Sequence, residues 1–160
     1  MRKKDHGGID ILINNAGRSI RRSIELSFDR FHDFERTMQL NYFGSLRLIM
    51  QSLPRMIERR RGHIINISSI GVLASSPRFS AYVASKAALD AFSSCAQGEL
   101  SGKGISFTTI NMPLVKTPMI APTKMYDSVP TLSPEEAADL IVKAIIEKPS
   151  RVATRLGVFA

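Results

Sequence analysis

Short apolar runs alternate along this chain with longer segments of helical periodicity. Runs at 9–13, 63–67 and 106–110 have the length and composition of buried strands, and the first has β-branched residues on both pleat faces, which predicts helices on each side. Residues 29–61, 80–100 and 133–148 have apolar positions at helical spacing. This alternation predicts an α/β fold, a Rossmann-like doubly wound parallel sheet.

Local signals set some of the helix boundaries. The segment 29–61 is long for one ordinary helix, and its polar and apolar residues are mixed. We therefore predict two helices, with a junction near 41–44 or a bend near Pro54. Ser133 with Glu136 three residues later, and Pro134 between them, predicts a capping box at the start of the last helix. Residues 71–78 are rich in Gly, Ser and Pro, and we predict a loop there.

The alanine-rich segment 80–100 predicts a helix with two different sides. At about 100° per residue, Ala84, Ala88 and Ala91 share one side, while Tyr82 and Lys86 lie roughly opposite. We expect the alanine side to pack on the sheet.

Each predicted strand ends in small or polar residues, and in a parallel sheet these ends line the ligand crevice. Ser69 ends the strand that leads to the alanine-rich helix, and Tyr82 and Lys86 are four residues apart on that helix, so the three side chains can meet. A phenol has a pKa near about 10, and a neighbouring ammonium lowers it. Tyr82 could then protonate a carbonyl oxygen held by Ser69, which is the polar half of a carbonyl reduction, while a hydride donor supplies the rest.

Composition and charge narrow the alternatives. With 160 residues, 44% of them hydrophobic and 22% charged, the chain is typical of a globular protein, and no apolar run reaches the roughly 20 residues of a membrane span. The net charge of +8 is not accompanied by aromatic interleaving or by a helix with one basic side, so we expect no nucleic-acid partner. One cysteine indicates a cytoplasmic protein, and His6, His32 and His63 have no metal-ligand spacing.

A cluster of three arginines directly follows the first strand end. Arg18, Arg21 and Arg22 lie near the predicted mouth of the crevice, where they would meet phosphates of a cofactor or of an acyl-CoA type substrate. A solvated loop is the simpler interpretation of the same cluster, and the sequence leaves both open.

Three segments, "NNAG", "NISS" and "YVASK", resemble the signature segments of the short-chain dehydrogenase/reductase family in order and spacing, over about residues 9 to 120. The resemblance implies that Ser69 orients the substrate oxygen, that Tyr82 is the general acid/base, and that Lys86 lowers the pKa of Tyr82 and holds the nicotinamide ribose. It also implies that Asn41, in "LNYFG", maintains a proton-relay water.

The same resemblance implies a nicotinamide cofactor, NAD or NADP. Asn15, Ala16 and Gly17 match the segment that passes beside the cofactor, and Thr117 matches the threonine that contacts its nicotinamide or pyrophosphate. The family's T-G-x-x-x-G-x-G loop is absent from these residues. We therefore expect residues 1–160 to be one partial catalytic domain, truncated at the N-terminus and possibly at the C-terminus. Two hypotheses follow: an enzyme, or a catalytically inert fragment of one.

Three longer segments look most like the reductase portion of bacterial fatty acyl-CoA reductases: "NNAGRSIRRSIE", "NYFGSLRLI" and "TINMPLVKTPMIAPT". This narrower resemblance implies a small-molecule carbonyl or alcohol substrate of fatty acyl or aldehyde type, NADPH as donor, and a homodimer formed through the two long helices. An apolar, adaptable lining of the loop after the third strand agrees with such a substrate; it comprises Met112, Leu114, Met119, Ile120 and Met125.

Overall fold

The computed structural model describes residues 7–126 and 128–153, without the side chain of Met125. Four strands form one parallel sheet in the order of the chain: β1 Ile11–Asn14, β2 Gly62–Ser69, β3 Ile105–Met112 and β4 Arg151–Ala153. Ile13 pairs with Ile65 of β2, which in turn pairs with Thr108 of β3. The predicted parallel α/β sheet is confirmed, and β4 is an additional strand.

Among the residues that the structure describes, five α-helices connect and cover the strands: α1 Phe31–Met38, α2 Ser45–Glu58, α3 Ile70–Ala74, α4 Ser80–Leu100 and α5 Pro134–Glu147. A π-helical segment, Gln39–Gly44, joins α1 to α2, and α2 continues through Pro54. Of the two predicted alternatives, the junction near 41–44 is therefore confirmed and the helix boundary does not lie at Pro54. Helix α3 replaces part of the predicted loop. It forms there because the Ser69 hydroxyl caps the backbone N–H of Gly71.

Each face of the sheet has its own apolar core. Side chains of α2 and α4, among them Ile49, Met56 and Leu89, pack with Ile64 and Phe107 of the sheet. On the opposite face a second cluster joins the sheet to α5, and it comprises Ile65, Ile67, Ile110, Met112, Ala137 and Ala144. The doubly wound arrangement positions α4 across the sheet, with its N-terminal turns at the carboxyl ends of β2 and β3.

Two sequence-based expectations about exposed surfaces are wrong. Ile11 and Ile13 of β1 are 40% and 39% exposed, so the described residues cover that strand incompletely. On α4, Ala84 and Ala91 are exposed and Ala88 is half-buried. The buried side of α4 comprises Ala81, Ser85, Lys86, Leu89, Asp90, Ser93 and Ala96. Its serines fit there because their hydroxyls bond to carbonyls of their own helix, as Ser93 does to Leu89.

The predicted capping box of α5 is present. The Ser133 hydroxyl accepts from the Glu136 backbone N–H at 3.1 Å, and the Ser133 N–H donates to the Glu136 carboxylate at 2.7 Å. Among the described residues, no helix combines the length and hydropathy needed to cross a membrane. Within the same residues, no three His, Cys, Asp or Glu side chains gather as they would around a metal ion, and His6 lies outside the described part.

Candidate active site

An open cavity of about 1250 Å³ lies at the carboxyl ends of β1, β2 and β3. Asn15 lines it after β1, Ser69 at the end of β2, and Pro113 after β3. The first turns of α4 form one wall and the loop 114–126 forms another. Parallel strands place these ends at one edge of the sheet, so residues distant in sequence face a common space.

Ser69 lies at the boundary between β2 and α3. Its Oγ accepts a hydrogen bond from the backbone N–H of Gly71 at 3.0 Å. A serine hydroxyl has one hydrogen and two lone pairs, so this bond leaves the hydrogen free to donate. Ser69 can therefore donate to an oxygen in the cavity while its side chain is held in place by α3.

Tyr82 is half-buried at the start of α4 and lines the same cavity. Burial raises the pKa of its phenol, and the neighbouring Ser69 hydroxyl only partly offsets the rise. Desolvation is the largest influence on this pKa, and the expected lowering by Lys86 stays a prediction. At neutral pH the phenol holds its proton, as a proton donor must.

Lys86 lies one turn after Tyr82 and is 4% exposed. Its Nζ donates to the backbone carbonyl of Ile67 in β2 at 2.6 Å. Burial lowers the pKa of this amine to about 8, because the ammonium loses its hydration. Lys86 is thus anchored at the end of β2, and two of its three N–H groups remain for other partners when it is charged.

Asn41 lies in the π-helical segment and is fully buried. Its Nδ2 donates to the carbonyl of Arg18 and to Ser85 Oγ, each at 2.9 Å, and its Oδ1 accepts from the Arg18 N–H at 2.9 Å. The side chain thereby clamps the segment after β1 against α4. Single-turn π-helical insertions of this kind occur frequently at functional sites.

Gly17 brings the backbone after β1 close to the lysine. A Cβ built on Gly17 would lie 3.3 Å from Lys86 Nζ and 3.3 Å from Asn41 Oδ1, which is tighter than ordinary contact. Asn15 and Ala16 are exposed just before it, and Asn15 and Gly17 line the cavity. Thr117, half-buried, lines the cavity from the loop after β3.

The three arginines after β1 separate in the structure. Arg21 is exposed and lines the cavity. Arg22 pairs with the buried carboxylate of Asp33 at 3.3 Å, and the backbone of Arg18 bonds to Asn41. Only Arg21 of this cluster therefore faces the site.

Two aromatic residues of the cavity were not found by sequence reasoning. Phe79, just before α4, and Tyr126, in the loop after β3, stack with ring centroids 6.4 Å apart. No spacing signal links them, because the stack forms only when the loop folds over α4. Met112, Leu114, Met119 and Ile120 line the cavity as apolar residues, and the side chain of Met125 lies outside the described part.

A family model described as short chain dehydrogenase matches residues 2–126. The chain belongs to the short-chain dehydrogenase/reductase family. A fatty acyl-CoA reductase of Acinetobacter baylyi is 69% identical over 157 residues, which cover 98% of this chain and 52% of that relative. The resemblance to fatty acyl-CoA reductases is thus confirmed, and the chain spans about half the length of the curated relatives it matches.

Solved structures of the family have the same fold. A short-chain dehydrogenase from Streptomyces avermitilis superimposes with a TM-score of 0.80 at 30% identity, covering 92% of this chain and 61% of the other. A gluconate 5-dehydrogenase from Burkholderia cenocepacia, in complex with NADP and tartrate, gives a TM-score of 0.68 at 28% identity and covers 72% and 45% of the two chains. The fold is therefore that of an oxidoreductase family.

Proposed function

We propose that this chain carries the catalytic part of an NAD(P)-dependent reductase that acts reversibly on the carbonyl or alcohol of a fatty acyl substrate. One observation carries the proposal: Ser69, Tyr82 and Lys86, which belong to β2 and α4, line a single cavity. Their hydrogen-bonding states differ in a way that suits carbonyl reduction. The Ser69 hydroxyl accepts from Gly71 and can still donate, the Tyr82 phenol is protonated, and Lys86 is a buried amine beside them.

In the reducing direction, Ser69 donates a hydrogen bond to the carbonyl oxygen and polarises it. The Tyr82 phenol gives its proton to that oxygen as charge develops there. Lys86, anchored on Ile67, places a cation near the phenolate that remains and stabilises it. In the oxidising direction the same groups act in reverse, with Tyr82 as the base.

The residues present fit the nicotinamide end of a dinucleotide. Gly17 keeps the space beside Lys86 Nζ free of a side chain, and Asn15 and Thr117 line the cavity. These residues, with Tyr82 and Lys86, would hold the cofactor, which supplies the hydride when bound. NADPH is our preferred donor. The structural relative that contains NADP and the cationic Arg21 at the cavity support this preference.

A fatty acyl or aldehyde substrate is supported by two observations. Apolar side chains line the cavity from Met112, at the end of β3, and from Leu114, Met119 and Ile120 in the loop after it. The Acinetobacter relative, 69% identical, is named a fatty acyl-CoA reductase. Unbranched, adaptable methionine side chains suit a flexible acyl chain.

Replacement of Tyr82 by Phe tests the mechanism. The variant Y82F loses only the phenolic oxygen, so we expect kcat to fall by about 10²- to 10⁴-fold. Tyr42→Phe is the matched control, because Tyr42 packs against the core of the α4 face and not on the cavity. Turnover should be measured on the full-length protein. Equal losses in both variants, or full activity of Y82F, would refute the proposal.

The competing proposal is a catalytically inert fragment. Calorimetric titration of the 160-residue chain with NADPH separates the two. Saturable binding, abolished by substitution of Lys86, supports a competent site, and no binding supports an inert fragment.

We also propose a homodimer in the cytoplasm. Helix α2 exposes Leu48 and Met50, which are 51% and 57% exposed, and α4 exposes Ala84 and Ala91. Such small and apolar surfaces on two long helices suit helix-to-helix packing between copies. The exposed free thiol of Cys95 is compatible with a reducing compartment. Sedimentation equilibrium tests the dimer.

A further inference from the structure

A network of charged and amide side chains lies beside the candidate site, and the mechanism above does not use it. The Arg151 guanidinium, on β4, forms a bidentate salt bridge with the Asp90 carboxylate on α4. Nη2 donates to Oδ1 at 2.7 Å, and Nη1 donates to Oδ2 at 2.9 Å. Nη1 also donates to Asn111 Oδ1, on β3, at 2.7 Å. Asp90 is 9% exposed and Asn111 is fully buried. Three elements are therefore joined at one guanidinium.

The network ends on the backbone of the candidate catalytic serine. Asn111 Nδ2 donates to the carbonyl oxygen of Ser69 at 3.2 Å. A guanidinium has only donors, so Arg151 forces the amide oxygen of Asn111 to face it. The Asn111 amino group is thereby turned toward Ser69, and the amide orientation follows from chemistry.

We infer that Asn111, oriented by Arg151 and Asp90, is a positioning residue for Ser69. This inference rests on the proposed function. Two hydrogen bonds hold Ser69: its Oγ accepts from the Gly71 N–H, and its backbone carbonyl accepts from Asn111 Nδ2. The side chain and the backbone of Ser69 are therefore both fixed, and with them the direction of its hydroxyl. Asp90 lies one helical turn after Lys86, so the same network ties the helix that carries Lys86 and Tyr82 to the strand ends.

The position of Ser69 matters for catalysis because misplacement of a catalytic group by about 1 Å can reduce the rate about 100-fold. A purely structural network would also stabilise the fold, so stability measurements alone do not separate the two roles. A positioning role predicts something different: the effect of losing Asn111 depends on the presence of the Ser69 hydroxyl.

A double-mutant cycle makes this distinction. Asn111→Ala, Ser69→Ala and the double variant are compared by kcat and KM in the full-length protein. We expect N111A to lower kcat by about tenfold with little change in KM, and to lower it less than about twofold further in the S69A background. Asn66→Ala is the matched control, because Asn66 is equally buried on β2 but bonds to Asn14 and Ser93. Its effect on kcat should be the same in both backgrounds.

The outcomes separate the inference from the proposed function. Full activity of N111A, or an equal loss in both backgrounds, overturns the positioning role while the proposed function stands. Full activity of S69A overturns both. If N111A does not fold, Arg151→Lys replaces it, since lysine keeps the charge beside Asp90 but loses the planar fork. Its smaller loss in kcat, about threefold, should likewise vanish in the S69A background.

Discussion

Replacement of Lys86 by methionine tests the electrostatics of the site directly. Methionine keeps the length of the side chain and removes its charge. The buried ammonium has a pKa of about 8 where its ordinary value is 10.5, and desolvation is the cause. The difference corresponds to about 3 kcal/mol of destabilisation at neutral pH. Lys86 thus costs the protein stability.

The sign of the pH dependence follows from the two pKa values. The unfolded chain keeps the lysine proton up to 10.5, whereas the folded protein loses it near 8, so between these values the unfolded state binds more protons. Stability therefore rises with pH across this window, by about 2 kcal/mol between about pH 7 and pH 9.5. K86M removes this contribution. It also leaves the Ile67 carbonyl without its donor, at a cost of about 1–3 kcal/mol, so the net change at neutral pH is small.

The assay is urea unfolding of wild type and K86M at these two pH values. Lys143→Met is the matched control, because Lys143 is also helical and its side chain is 67% exposed. We expect the wild-type and K143M proteins to gain about 2 kcal/mol more than K86M as the pH rises. The same gain in K86M as in wild type would refute the reasoning.

Three glycines give further predictions. Gly17→Ala should lower kcat and destabilise the protein by about 1 kcal/mol, because the new Cβ crowds Lys86 Nζ and Asn41 Oδ1. Gly98→Ala, inside α4 with open space around it, should instead stabilise by about 1 kcal/mol and leave turnover unchanged, and urea unfolding with a rate assay checks both. Gly104 has φ of +77°, and a Cβ there would overlap the backbone carbonyl of Arg60. Gly104→Ala should therefore cost more than about 2 kcal/mol by the same unfolding measurement.

The sequence predicts the main elements well where a run of apolar residues or a helical spacing of apolar positions defines them. Strands β1 to β3 have such runs, helices α4 and α5 have such spacing, and the capping box fixes the start of α5. Strand β4 was missed because it is only three residues long and only Val152 in it is half-buried. Helix α3 was missed because it depends on the Ser69 hydroxyl, which residue composition does not reveal.

The candidate site was partly predictable for a similar reason. Strand ends and the four-residue spacing bring Ser69, Tyr82 and Lys86 together, and both features are visible in the sequence. The direction of the Tyr82 pKa was not predictable, because it depends on how deeply the phenol is buried. The Arg151 network was not predictable either, since its bonds join residues 40 to 61 positions apart.

The contacts of α4 with the sheet have a polar part and an apolar part, and their residues alternate along the helix. In the first part Lys86, Asp90 and Ser93 bond to the sheet or to β4, whereas the apolar part comprises Leu89 and Ala96 in the core. Each polar group in the first part needs its partner, because an unpaired buried donor or charge costs more than the bond contributes. Substitutions there should change activity and stability together. In the apolar part, removal of methylene groups should change stability while leaving kcat intact, because no catalytic group depends on it for orientation.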